Sequence, residues 1–180
     1  MKGVRAGLVV AGEKGWKGRM VLFSLRSWKV GKDFGIVDDD SVSDLDLSRD
    51  GKSIITGTVK GGLGIFSVGA QRLVRNHVSV CKCVHSLRVC KNGEEVFIIT
   101  GSFNNATRMI LVGLRSGDTI KDFGKIHEAN IKTFFMSRDG EILMTGDEKG
   151  YCKEWSVGAR ARIGESYCRI DGGASVVVEI

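Results

Sequence analysis

Apolar residues in this chain come in short runs closed by glycine rather than at helical spacing. Leu8-Val9-Val10-Ala11, Ile54-Ile55-Thr56, Ile98-Ile99-Thr100 and Leu143-Met144-Thr145 lead directly into Gly12, Gly57, Gly101 and Gly146. Those glycines stand 45, 44 and 45 residues apart. After each comes a second apolar run: Met20 to Leu25, Leu63 to Val68, Met109 to Leu114 and Tyr151 to Val157. Short runs bounded by Gly, Asp and Asn are strand-and-turn signals. The pattern predicts an all-β chain with a unit of about 44 residues, and a third strand of each unit at Met20–Leu25, Ile65–Val68, Met109–Val112 and Lys153–Val157.

A longer period overlies the short one. Ser48-Arg49-Asp50-Gly51 returns as Ser137-Arg138-Asp139-Gly140, Lys32-Asp33-Phe34-Gly35 as Lys121-Asp122-Phe123-Gly124, and Ser67-Val68-Gly69-Ala70 as Ser156-Val157-Gly158-Ala159, each 89 residues later. Several separated matches in one register make the chain a tandem duplication, 1–89 and 90–178, within a single segment of residues 1–180.

The last unit carries the most specific residues. His127 precedes an apolar run, Ile131 to Met136; an Asp139-Gly140 turn follows, then Ile142 to Thr145, and Trp155 ends the next run. This resembles a WD-repeat blade of a β-propeller, with strands A to D, and the length of the unit fits that family. The resemblance implies a hydrogen-bonded tetrad of histidine, Ser/Thr, turn aspartate and tryptophan. His127, Thr145 and Trp155 match it, and Lys149 is expected at the aspartate position. In the second unit Thr56 matches, Phe66 stands for the tryptophan, Lys60 for the aspartate and Asp38 for the histidine. Phe23 and Val112 take the tryptophan place in the first and third. Blade stability is therefore expected to rest on apolar packing more than on the tetrad.

Aligning the two halves gives strands B, C and D, then three complete sets, then a lone strand A at Ala174 to Val178. That is about four blades' worth. Such a piece leaves sheet edges open, so it is expected either to belong to a longer propeller or to close one ring by pairing two copies.

Composition narrows the function. There are 25 glycines and no proline, and 27% of residues are charged, ordinary for a globular chain. The net charge of +6 favours acidic partners, and nucleic acid is the alternative reading, but Lys and Arg are scattered rather than clustered. Five cysteines at irregular spacing suit reduced thiols, hence a cytoplasmic protein. Leu8 to Ala11 is too short for a signal-peptide core, and no stretch approaches the roughly 18 apolar residues of a membrane span.

Three motifs suggest chemistry without supporting it. Asp-Phe-Gly at 33–35 and 122–124 resembles a kinase magnesium motif, but it follows the repeat and lacks the other kinase parts; Phe34 and Phe123 are expected to pack between blades. His77, Cys81, Cys83, His85 and Cys90 look like metal ligands, yet alternate residues on a strand lie about 6.6–6.8 Å apart, too far to close on one zinc. Asp38, Asp39, Asp40, Asp44 and Asp46 read as a solvated acidic loop. No metal, cofactor or catalytic set is assigned, and the expected role is a non-catalytic protein-interaction scaffold.

The expected binding surface is the segment after Gly12, with Lys14, Trp16, Lys17 and Arg19, together with its counterpart carrying Phe103 and Arg108. Aromatic and arginine side chains are common interface anchors. Eleven residues separate Gly12 from Phe23 where nine separate Gly57 from Phe66, so these two B–C loops are expected to be longer than the others.

Overall fold

An apolar run that does not alternate needs burial on both faces of its strand. The computed structural model describes residues 6–13, 17–24, 27, 29–38, 40–77, 79–102 and 105–167, and it supplies that burial by standing antiparallel sheets side by side. β1 (Ala6–Glu13), β2 (Lys17–Ser24) and β3 (Val30–Asp38) form a three-stranded sheet. Next come β4 (Val42–Leu47), β5 (Ser53–Thr58), β6 (Leu63–Ser67) and β7 (Arg72–His77). The third sheet is β8 (Val84–Val89), β9 (Glu95–Ser102), β10 (Asn105–Gly113) and β11 (Thr119–Lys125). The fourth is β12 (Ile131–Met136), β13 (Ile142–Asp147), β14 (Tyr151–Ser156) and β15 (Ala161–Tyr167).

Strands pair in chain order within every sheet, and β8 lies against both β4 and β12. Sheets radiating from a shared inner side are the blades of a β-propeller. The third strands, β2, β6, β10 and β14, fall on the spans expected from the sequence. β12 and β13 begin and end 89 residues after β4 and β5, and β9 repeats β1 in the same way. There is no helix among the described residues, and so none long and apolar enough to cross a membrane. The expected lone strand at Ala174 to Val178 lies outside the described residues.

The third blade shows how the runs are used. Val84, Val96, Ile98, Ile110 and Val112 pack towards the second blade with Ile55 and Leu63. Phe97, Ile99, Met109 and Leu111 face the fourth with Phe134, Leu143 and Trp155. Successive side chains thus point to opposite sides, and both sides are core. Gly57 lets the blades close up, because a Cβ there would stand 2.3 Å from the Val84 Cγ1 of the next blade.

Polar clips supplement this packing. Asp44 and Asp46 sit two apart on β4 and so share a face; their carboxylates accept the backbone amides of Leu87 at 2.9 Å and Val89 at 2.8 Å on β8. The solvated-loop expectation fails for these two residues: an aspartate at the inner edge caps amides that the neighbouring strand directs across the gap. Asp40 is likewise engaged, accepting the Lys60 amide at 2.8 Å.

Candidate functional site

The crossover from β11 to β12 places a histidine inside the fourth blade. Thr107 O accepts the amides of Ile126 at 2.8 Å and His127 at 3.4 Å, fixing the backbone so that the imidazole turns inward, 2% exposed. Its Nδ1 lies 3.0 Å from Asp147 Oδ2 and its Nε2 2.8 Å from Thr145 Oγ1. Trp155 Nε1 donates to the same Thr145 oxygen at 3.1 Å.

Only one direction satisfies the chain. The carboxylate must accept, so Nδ1–H donates; Nε2 then accepts the threonine hydroxyl, which itself accepts the indole N–H. Asp147 Oδ1 is occupied as well, by the amides of Lys149 at 2.9 Å and Tyr151 at 3.1 Å. The fourth position of the tetrad is therefore Asp147, not Lys149. Lys149 enters only through its backbone amide, because β13 runs one residue past Gly146 and delivers the aspartate to the histidine.

This order of hydroxyl, imidazole and carboxylate matches a hydrolytic triad on paper. Burial rules that chemistry out for this constellation: Thr145 is 1% exposed, and its oxygen is already held by an indole. The network is a clamp.

Burial pushes the His127 pKa below its ordinary 6.5, with the Asp147 hydrogen bond opposing only in part. The folded state therefore keeps a neutral ring while the unfolded chain protonates near the ordinary value. Stability is complete above that value and is lost as pH falls below it. Thermal melts at about pH 7.5 and about pH 5 are expected to show the loss, and His127→Asn should reduce it. A melting temperature no lower at the acid pH in the wild type would contradict the neutral ring.

The second blade keeps the packing and drops the polar chain. Phe66 is 3% exposed and meets Phe34 edge-on at 6.4 Å, as Trp155 meets Phe123 at 5.8 Å. Thr58 occupies the place of Asp147, and its hydroxyl accepts the Gly62 amide at 3.0 Å. Phe34 and Phe123 of the Asp-Phe-Gly segments are thus blade-packing residues. The glycines of those segments, Gly35 (φ +71°) and Gly124 (φ +70°), sit at register shifts of the outer strands, with their amides donated to Asp33 at 2.8 Å and Asp122 at 2.7 Å.

These same aspartates hold two of the expected binding residues. Arg19 pairs with Asp33, and Arg108 with Asp122 at 2.5 Å, each arginine about half exposed. They present ion pairs rather than bare cations. Lys17 opens β2, while Lys14, Trp16 and Phe103 lie outside the described residues. The long-loop expectation is corrected: β1 to β2 is joined by residues 14–16 and β9 to β10 by 103–104, no longer than the links at 59–62 and 148–150. The extra residues lengthen the paired arms, which places Lys17, Arg19 and Arg108 on strands.

Among the metal-like residues, His77 Nε2 lies 2.9 Å from Leu114 O of the next blade, and Cys83 and Cys90 are buried. Burial pushes the Cys90 thiol up to about 12. Among the described residues no three His, Cys, Asp or Glu are grouped to hold a metal ion.

No protein-family model and no curated protein sequence matches the chain. Among solved structures it is similar to Kuenenia stuttgartiensis hydrazine synthase, with a TM-score of 0.63 and 14% identity over 81% of this chain and 47% of that one. The chain thus spans about half the length of that structure. At this identity the likeness shows the fold alone.

Proposed function

We propose that this chain is a WD-repeat-type propeller segment, built by tandem duplication of two blades, that acts as a non-catalytic scaffold for other proteins in the cytoplasm. The observation that carries this reading is the sealed tetrad: the most organised polar group among the described residues, His127 with Asp147, Thr145 and Trp155, is used to hold a blade together. Binding is then left to the end of the blades that carries the B–C links and the crossovers, where Lys17, Arg19 and Arg108 sit on strands, and to the sequence-neighbouring Lys14, Trp16 and Phe103. A chain of this extent completes its ring within a longer propeller or by pairing with a second copy.

The second reading is a basic module for nucleic acid, favoured by the net charge of +6. Phosphate contacts weaken steeply with salt. Titration of single-stranded RNA from about 50 to about 200 mM salt is expected to show weak binding, while a protein partner remains bound at the higher salt. Tight RNA binding that collapses over that range, with no protein retained, would replace the scaffold by the second reading.

A further inference from the structure

The opposite end of the blades carries a repeated feature. The turns from first to second strand share one geometry: Gly51, Gly93 and Gly140 have φ of +68°, +70° and +75°, and their amides return to Ser48, Cys90 and Ser137 at 2.8, 2.9 and 2.8 Å. The residue after each of those three is basic: Arg49, Lys91 and Arg138. Identical turns on neighbouring blades bring these cations together. Arg49 Nη1 donates to Asp139 O at 3.0 Å, joining the turns of the second and fourth blades.

Between them lies a cleft of about 280 Å³. Arg49, Lys91 and Arg138 line it with Arg88, whose guanidinium is 3.1 Å from Asp44 and 5.6 Å from the centre of the Phe134 ring. Asp46 is the one lining carboxylate, and it is committed to the Val89 and Leu47 amides. Arg138 has no carboxylate partner among the described residues. Leu47, 48% exposed, and the half-buried Met136 add apolar surface to the same cleft.

We propose that this cleft binds an acidic peptide segment bearing an aliphatic side chain. Guanidinium groups pair carboxylates through two parallel hydrogen bonds, and Leu47 with Met136 offers the contact for the aliphatic group. The rim argues against an extended phosphate backbone. Asp50, Asp139 and Glu141 stand on the same turns outside the cleft; the first two are bonded to their own serines, and Glu141 lies 3.5 Å from Lys91. A compact ligand reaches the inner cations past these charges, whereas a long polyanion would lie across them. The proposal rests on the interaction-scaffold reading but concerns the other end of the blades.

The test is fluorescence anisotropy of the full chain with a labelled peptide of alternating glutamate and leucine. Binding is expected, about tenfold weaker or more for Arg138→Glu, weaker again for a peptide of glutamate alone, and absent for one of glutamine and leucine. Arg138 is exposed and has no carboxylate partner among the described residues, so its variant should melt with the wild type; Lys91→Gln supplies a second reading that does not reverse a charge. Equal affinity in wild type and both variants would overturn the proposal. So would single-stranded RNA that outcompetes the peptide and is itself lost with Arg138→Glu. A chain that binds this peptide but no protein at the B–C end, or the reverse, separates the two claims.

Discussion

Trp155→Ala is expected to destabilise the chain by about 3–5 kcal/mol, lowering its melting temperature by on the order of ten degrees. The indole is 7% exposed and lies in the cluster between the third and fourth blades with Phe97, Met109 and Leu143. Phe123 and the indole meet in a T-shaped arrangement, a geometry that adds to area burial. Strands bonded on either side of β14 cannot close over the void. Urea or thermal denaturation reads the effect directly, and a loss under about 1 kcal/mol would mean that the blades do not pack in this register.

The second large effect isolates the tetrad from packing. Thr145→Val preserves shape and removes one oxygen, leaving the His127 Nε2 and the Trp155 Nε1 without their shared partner. Each buried group left unpaired costs about 1–3 kcal/mol, so a loss of roughly 2–6 kcal/mol is expected for the two. The same change in the second blade is the control. Among the described residues the Thr56 hydroxyl has only a 3.5 Å contact with Gly64 O, and the Phe66 ring has no N–H to satisfy, so Thr56→Val should cost less than about 1 kcal/mol. Equal losses at the two sites would show that the polar chain contributes nothing beyond burial.

The sequence showed most clearly what two-sided burial controls. Ile98-Ile99 and Met109 to Val112 are apolar without alternation because both sides of the third blade are interfaces, and their spacing placed the strands correctly. Three of the four tetrad residues were also visible, since a histidine before a strand and a tryptophan ending one are distinctive. The aspartate was missed because its position depends on how far β13 extends past Gly146. A local signal was present: Asp147 followed three residues later by Gly150 suits a turn in which the carboxylate binds its own backbone. Strand length likewise explains the loops, where two additional residues were absorbed into paired arms instead of a projection.

The roles of Asp44, Asp46, Arg19 and Arg108 were not legible for a different reason. Each depends on a partner far along the chain or across a bulge. Asp44 and Asp46 look like part of an acidic run until β8 brings amides to them, and Asp-Phe-Gly reads as a motif until its aspartate meets an arginine fourteen residues earlier. Charge patterning along the chain carries no information about such pairings.

The scaffold account is tested most directly by separating binding from folding at the B–C end. Trp16→Ala combined with Lys17→Ala removes an aromatic side chain and a cation from a segment in which the two halves differ in character, Glu13 to Arg19 against Ser102 to Arg108. Recovery of a bound protein partner in a pull-down, alongside thermal melts of both chains, is the measurement. The account predicts that the double variant loses the partner while its melting temperature stays within about a degree or two of the wild type. A variant that melts several degrees lower would instead make Trp16 a structural cover, and one that retains the partner in full would remove this end of the blades from the binding surface.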